Sequence, residues 1–429
     1  IYTDGTNNQP TGNGLPYQVA TLTVNKTAGT NLRLTNNIDI TDSLSIVSGI
    51  LLAREPLTAV ARNIELNGNL NISANGNFDP YQGEFFFISD NSQTVTSMVD
   101  INFYNLTLIN TGVNERIHFV PTNPGGMRNV TVNNNLIFAP TNMAYIDLSP
   151  TNSTVTSAPV YNSGEWVMTI AQSSPGVTRL GEGHISGELR KYLPAGDFTE
   201  RMYEIGHDSV YSPFAFDLNN AGGTAGFVGM QVIPMLHPQS DYLDDAAFNY
   251  QQARMIQKYW RMTRPAASAF AQGTRYMAFR PRYRDPQDIP GGALKRCFDI
   301  TYWKGGLNSN WQRLSPPSAQ FNDASTSVCG DRNINANEAT YRTFGTDTST
   351  TAHSINGTLR TLANFNLGLP TNNRFLLGDF VVAQQGPAII YYYSKNDGPW
   401  NSASTWVTSN FDNDAGYNGA VNSTNSWPK

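Results

Sequence analysis

The sequence predicts an all-β chain. It begins with a parallel β-solenoid (a β-helix), continues into an antiparallel β-sandwich-like domain and ends at the start of a further β module. Three observations support this fold class: apolar-polar-apolar triplets recur in the first third, longer aromatic-rich segments follow, and charged residues are few. Only 14% of residues are Asp, Glu, Lys or Arg, against about 25% in average globular proteins. Asn, Thr, Ser and Gly must therefore supply the polar surface, as is typical of β-rich extracellular proteins.

The chain has 429 residues, which is too long for one ordinary domain. The predicted parts are a linker or cap at 1–19, the solenoid at 20–160, the sandwich-like domain at 161–385, and a linker with the start of a further repeat module at 386–429. The sequence opens without Met and stops just after Trp427-Pro428. We therefore expect a piece of a longer protein.

The solenoid prediction rests on residues 20–76. Two apolar residues flank one polar residue in each recurring triplet, and Asn, Gly, Thr, Asp and Ser lie between the triplets: Leu22/Val24, Leu32/Leu34, Ile38/Ile40, Leu44/Ile46, Ile64/Leu66 and Leu70/Ile72. Such alternation buries one face of a strand. Three neighbouring pairs of triplets step by six residues (32 to 38, 38 to 44 and 64 to 70), and longer steps of 22 and 20 residues join Leu22 to Leu44 and Leu44 to Ile64. These internal periods predict a chain wound into stacked coils.

The same pattern returns at 103–108 and 129–138, where 24 residues separate Leu106 from Val130. From about Trp166 onward the strand-like segments lengthen, and Gly or Pro recurs every eight to twelve residues. Short strands at that spacing predict an antiparallel sandwich. Residues 244–257 are a candidate short helix with imperfect apolar spacing.

Several classes of function are disfavoured. The net charge of −5 comes without any basic run, so nucleic acid and anionic membrane surfaces are poor partners. No apolar stretch of about 18 residues predicts a transmembrane segment. No two histidines have the spacing of a zinc-binding helix, and no serine lies in a nucleophile elbow. His207-Asp208-Ser209 does not build a triad, because neighbouring strand residues point to opposite faces. We predict that the chain is not an enzyme and has no cofactor.

Cys297 and Cys329 are 32 residues apart. One disulfide in an oxidising compartment fits this low-charge chain and would contribute about 3–4 kcal/mol. Two buried free thiols are the alternative. The aspartates at 241–245 and at 412–414 are candidate oxygen ligands for calcium, although neither cluster matches an EF-hand loop. Solvated turns are the alternative there.

Possible recognition residues lie in the second half of the chain. Arg280, Arg282 and Arg284 share one face if they form a strand, and that face suits an anionic glycan or a carboxylate-rich partner. Pairing with nearby acids is the alternative. Trp311 and Tyr392 are candidate rings for stacking on a sugar, although aromatic residues in a sandwich more often belong to its core. The expected partners are a surface glycan, a protein ligand or copies of the chain itself.

Three stretches together carry a resemblance to a known group. They are the Asn-rich ladder with 45–51 (SIVSGIL), the run 183–196 (GHISGELRKYLPAG), and 398–406 (GPWNSASTW) with Trp427-Pro428 beyond it. This set resembles the large repetitive cell-surface and adhesin-like proteins of Bacteroidota that the type IX secretion system exports. The resemblance implies an extracellular or cell-surface location, a role in adhesion, gliding or a surface layer, and no catalytic residues.

The resemblance also implies O-glycosylation of Ser or Thr in Asp-Ser/Thr-apolar triplets, and Ser43 and Ser209 match that pattern. The leading prediction is a structural or adhesive protein, a fragment of a large bacterial surface adhesin, stalk or filament subunit. The alternatives are a carbohydrate-binding module and a polysaccharide-degrading β-helix enzyme.

Overall fold

The computed structural model of the chain describes residues 2–6, 9–11, 15–55, 60–122, 127–148, 166–171, 176–196, 198–218, 223–240, 250–270, 277–284, 288, 290–291, 298–303, 311–313, 357–358, 378–385, 391–394 and 406–409. The strands of its first half are β1 (Tyr2–Gly5), β2 (Gln9–Pro10), β3 (Gln18–Lys26), β4 (Asn31–Arg33), β5 (Ile38–Leu52), β6 (Ile64–Leu66), β7 (Asn69–Asp79), β8 (Glu84–Ser89), β9 (Gln93–Ser97), β10 (Ile101–Asn110), β11 (Arg116–Val120), β12 (Arg128–Phe138), β13 (Tyr145–Asp147), β14 (Trp166–Ile170), β15 (Gly176–Arg179) and β16 (Ile185–Ser186).

The strands that follow are β17 (Glu188–Leu193), β18 (Phe198–Tyr203), β19 (Ile205–His207), β20 (Val210–Tyr211), β21 (Phe214–Leu218), β22 (Gly226–Ile233), β23 (Tyr250–Thr263), β24 (Met277–Tyr283), β25 (Phe298–Trp303), β26 (Trp311–Arg313), β27 (Gly357–Thr358), β28 (Gly378–Gln385), β29 (Tyr391–Ser394) and β30 (Trp406–Ser409). The ranges given above contain no α-helix, and most of their residues lie in strands. Accordingly, they also contain no helix long and apolar enough to span a membrane. The prediction of an all-β chain is confirmed.

Hydrogen bonds join 24 strands into one large mixed sheet, beside a four-stranded sheet (β18, β21, β24 and β27) and the β29–β30 pair. Parallel pairs prevail from β1 to β16, and antiparallel pairs prevail from β17 onward. The strand β17 joins the two regions, because it pairs in parallel with β14 and antiparallel with β22. Because one sheet runs through both regions, the finer division into a solenoid, a sandwich and a further module stays a prediction.

Apolar residues of successive parallel strands lie side by side. Leu22 pairs with Leu44, and Leu44 pairs with Leu70, and all three side chains are at most 1% exposed. The predicted step from Leu22 to Leu44 is therefore confirmed. The predicted step from Leu44 to Ile64 is wrong, because Ile64 lies beside Ile38. Arg54 and Ala61, which follow β5 and precede β6, form an antiparallel bridge, and the residues between these two strands lengthen the interval.

The later spacing is corrected in the same way. Val130 lies beside Ile101, whereas Leu106 lies beside Leu136, so the predicted step from Leu106 to Val130 does not join neighbours. Val130 and Leu136 are instead two inward positions on the same strand, β12, and both side chains are fully buried. A constant spacing fails because the turns between these strands differ in length.

Buried asparagines connect neighbouring turns. The Asn110 backbone N–H donates to Asn142 Oδ1 at 3.1 Å, and Asn110 Nδ2 donates to the Asn91 carbonyl at 2.7 Å. Asn142 Nδ2 donates in turn to the Ala144 carbonyl at 2.7 Å. Asn110 and Asn142 are completely buried. The asparagine content therefore supplies internal hydrogen bonds as well as polar surface, because buried backbone groups need partners.

The candidate helix at 244–257 is wrong where the structure describes it. Residues from Tyr250 onward belong to β23, and 241–249 lie outside the described residues. Along β23 the side chains alternate: Trp260 and Met262 enter the main core, whereas Tyr259 joins a separate apolar cluster on the opposite face. This two-residue period is that of a strand buried on both faces.

Candidate functional site

A row of polar side chains crosses the antiparallel part of the large sheet. Gln231 of β22 lies opposite Arg261 of β23, Arg261 lies opposite Asp379 of β28, and Asp379 lies opposite Trp303 of β25. Directly opposed residues of paired strands share a face. We call Gln231, Arg261, Asp379 and Trp303 the polar row.

The polar row lies on the face away from the main core. Trp260, Tyr302 and Phe380 neighbour its members in sequence, and all three belong to the main hydrophobic cluster. On the face of the polar row, Tyr259 and Val381 form a smaller apolar cluster with Ile233, Met255 and Ala383, and Trp303 packs against it. The row therefore has its own apolar support.

Asp379 holds the centre of the row. Its two carboxylate oxygens accept hydrogen bonds from Arg261 Nε at 2.7 Å and from an Arg261 terminal nitrogen at 2.9 Å. His237 Nε2 lies 3.0 Å from Asp379 Oδ2. Burial alone would raise the pKa of Asp379, but the hydrogen bonds from Arg261 and His237 outweigh it and lower that pKa below its ordinary value.

The imidazole of His237 is fixed on both sides. Its Nδ1 accepts the Gln239 backbone N–H at 3.1 Å, so the proton of the neutral ring lies on Nε2 and points to Asp379. The ring packs edge-on against Tyr259 and Trp303, with centroids 4.8 Å and 4.9 Å away. His237 thus ties the 234–240 segment to the polar row.

A second ion pair extends the face toward β17. Glu188 Oε1 accepts hydrogen bonds from Arg190 Nε at 2.6 Å and from Thr263 Oγ1 at 3.1 Å. The Glu188 carboxylate lies over Gly229, where an added Cβ would stand 2.4 Å from Glu188 Oε1. A glycine is therefore required at position 229 for this carboxylate to reach Thr263.

Two polar atoms beside these pairs lack partners. Gln231 Oε1 and the Trp303 indole Nε1 are both buried, and neither has a hydrogen-bond partner among the residues that the structure describes. Leaving a buried donor or acceptor unpaired costs about 1–3 kcal/mol. One acceptor and one donor of the polar row are thus unsatisfied by the described part of the chain.

The three predicted arginines do not form one equivalent set. Arg284 binds Asp288, with its Nε 3.2 Å and a terminal nitrogen 3.0 Å from Asp288 Oδ1. Asp288 also accepts from the buried Lys258 Nζ at 2.6 Å, and Lys258 donates to Ser212 Oγ at 2.7 Å. Burial lowers the pKa of Lys258, which Asp288 partly offsets. Arg284 therefore belongs to an internal network.

The other two arginines belong to β24. Arg282 is half-buried, and its backbone N–H donates to the Pro213 carbonyl at 3.0 Å. Arg280 lies opposite Ala215 of β21, and its side chain is outside the described atoms. An anionic partner for this strand stays a prediction.

The predicted aromatic candidates lie at strand positions. Trp311 begins β26 directly opposite Trp303, next to the polar row, and Tyr392 lies in β29 opposite Thr408. The side chains of Trp311 and Tyr392 are not among the described atoms. Their role in ligand binding stays a prediction.

The proposed modification sites are both half-buried. Ser43 Oγ lies 3.3 Å from Thr21 Oγ1 on the neighbouring strand. Ser209 lies in the turn after Asp208, a residue with a positive φ of 44°. The cysteines 297 and 329 and the acidic clusters at 241–245 and 412–414 lie outside the described residues, so the disulfide and the calcium sites stay predictions. Within the described ranges, no group of three His, Cys, Asp or Glu side chains is placed to hold a metal.

The sequence did not single out His237, Arg261, Asp379 or Gln231. Arg261 and Asp379 are 118 positions apart, and His237 and Asp379 are 142 positions apart, so only the sheet register brings them together. The usable signal was local: Arg261 and Asp379 each interrupt an apolar strand, where a lone charge needs a buried partner. No protein-family model, curated protein or solved structure matches the chain.

Proposed function

We propose that this chain is part of an extracellular structural and adhesive protein, in which the parallel strands form a stiff stalk and the antiparallel strands carry the recognition surface. The proposal includes export to the cell surface, as the resemblance to adhesin-like proteins of Bacteroidota implies. It assigns no catalytic step to the chain.

The observation that carries the proposal is the continuous parallel register. One column of strands runs β1, β3, β5, β7, β9, β11, β13, β16 and β19, and every neighbouring pair in it is parallel. Because strands are about 4.8 Å apart, the eight steps of this column span about 38 Å. A chain that returns to the same column after each turn supports the solenoid interpretation, with three segments to each coil.

The pairing of β5 supports the proposal of three segments to each coil. Its residues 38–40 pair with β6, its residues 43–46 pair with β7, and its residues 50–52 pair with the end of β7. The inward side chains of the three segments are apolar, as Ile40, Ile46 and Leu51 illustrate, and all three are completely buried. Coils of this kind bury their apolar residues against the next coil, so length is added without enlarging the core.

Polar side chains also connect neighbouring coils on the outside. Gln18 donates to Asp39 at 2.6 Å, and Asn67 donates to Asp39 at 3.3 Å. On a later pair, Asn134 donates to Asn105 at 2.7 Å. None of these three contacts pairs two opposite charges, so salt weakens them less than it would weaken an ion pair. They suit a stalk that must stay rigid in variable extracellular media.

Electron microscopy of the secreted material tests the proposal. Fibres, filaments or a surface layer labelled by antibodies against this chain are the expected result. Monodisperse globular particles without fibres would contradict the stalk. Turnover of a polysaccharide by the purified chain would show that a structural role is not its only function and would favour the β-helix enzyme.

A further inference from the structure

We infer that the face of the polar row binds a neutral, hydroxyl-rich saccharide, with Trp303 as the stacking ring and Arg261 and Thr263 as hydrogen-bonding groups. This inference deepens the adhesive part of the proposed function and rests on it. It names the ligand class and the residues that would recognise it.

Planar side chains lie next to one another along the polar row. Amide, guanidinium, carboxylate and indole side chains follow one another across four paired strands in the polar row. Sugars present apolar C–H faces beside hydroxyls that both donate and accept hydrogen bonds. An indole offers an apolar surface for the former, and fixed guanidinium and hydroxyl groups serve the latter. Trp311 occupies the next register position beyond Trp303.

The side chains that would meet the saccharide are already held in place. Arg261 is held by two hydrogen bonds to Asp379, yet 23% of its side chain remains exposed. Thr263 and Trp303 are likewise half-buried, and the His237 ring packs edge-on against the Trp303 ring. The exposed groups are therefore already fixed by buried partners, which reduces the entropy lost on binding.

The charged side chains on the face of the polar row are paired. Arg261 is matched by Asp379, and Arg190 is matched by Glu188. The face thus carries balanced charge, which favours a neutral saccharide over an acidic one. The buried Trp303 Nε1 and Gln231 Oε1 are one donor and one acceptor within the polar row, which bridging water can satisfy.

The test is native affinity electrophoresis of the whole chain in gels that contain laminarin, soluble starch, arabinoxylan or, as the acidic arm, polygalacturonate. We expect slowed migration in at least one neutral gel and none in polygalacturonate. Trp303→Ala is expected to weaken that retention about tenfold. Tyr302→Phe, on the core side of the same strand, is the matched control and should leave retention unchanged.

Trp303→Phe keeps an aromatic ring at this position but is smaller and lacks the indole N–H, so it decides the question if the alanine variant fails to fold. A severalfold loss of retention is expected for it. Binding only to polygalacturonate, binding to none of the four polymers, or full retention by both Trp303 variants would overturn the inference. Fibres in the electron microscope together with no saccharide binding would refute this inference alone, whereas saccharide binding by a globular particle would refute the stalk.

Discussion

Replacing Asp379 by Asn tests whether the polar row is held by its central carboxylate. Asp379 is 2% exposed, and its partners Arg261 and His237 are 23% and 1% exposed. Breaking a buried ion pair on one side costs about 3–5 kcal/mol, because the remaining charge is left uncompensated. Water reaches part of Arg261 and recovers some of that energy. We therefore expect Asp379→Asn to lower the free energy of unfolding by about 2–4 kcal/mol.

Asp147 provides a matched control within the same chain. It also binds one arginine and one histidine, with Arg116 at 2.8 Å and His118 at 2.9 Å. Those partners are 46% and 27% exposed, so solvent screens the interaction. Asp147→Asn should cost about 1 kcal/mol or less.

Urea unfolding at pH 7.5 measures both variants, with tryptophan fluorescence and far-UV circular dichroism followed together. Loss of the fluorescence signal before the circular dichroism signal would show that the antiparallel part unfolds separately, and its own midpoint would then be compared. An Asp379→Asn variant as stable as Asp147→Asn would refute the claim that burial makes the Asp379 pairs the stronger ones.

Three further predictions concern other parts of the chain. Burial lowers the pKa of His207, and the nearby Lys258 adds to the effect, so the unfolded chain binds a proton near pH 6.5 whereas the folded chain binds it only at lower pH. The free energy of unfolding should therefore fall as the pH drops below about 6.5, and it should fall less in His207→Gln. Thermal unfolding between about pH 7.5 and 5.5 measures both. Leu44→Ala should cost about 2–5 kcal/mol, whereas the outward Ser45→Ala should change stability by less than about 0.5 kcal/mol in the same urea assay. Gly49 has a φ of 82°, and a Cβ added there would lie 2.5 Å from the Cβ of Lys26. Gly49→Ala should therefore lower the free energy of unfolding by about 1–3 kcal/mol, as measured by calorimetry.

Much of the fold could be predicted because its signal is local. Alternation along residues 43–46 places Leu44 and Ile46 on the buried face whatever the strand pairs with, and the structure buries both completely. The register could not be predicted from a constant spacing, since the residues between β5 and β6, where Arg54 and Ala61 form a bridge, change the interval between neighbours. Insertions of this kind cost little in a surface turn, so sequence alone does not limit their length.

The candidate site was less predictable than the fold. The sequence named Trp311 and Tyr392 as candidate rings and did not name Tyr259 or Trp303. Both faces of β23 are buried, so periodicity could not separate Tyr259, on the face of the polar row, from Trp260 in the main core. Pairing of Asp379 with His237 depends on contacts across 142 positions. Such long-range pairs are fixed by tertiary register and leave no trace in local composition.

A single distance measurement tests the proposed coiled arrangement of the parallel strands most directly. The register joins Thr23 to Ser45, Ser45 to Asn71, Asn71 to Thr96, and Thr96 to Val120. These four steps place Thr23 and Val120 about 19 Å apart along the stack. Spin labels at these two positions, with Cys297 and Cys329 replaced by Ser, should give one narrow double electron–electron resonance peak at about 20 Å. A broad distribution, or a peak at about 40 Å or beyond, would contradict the stacked coils and with them the stalk.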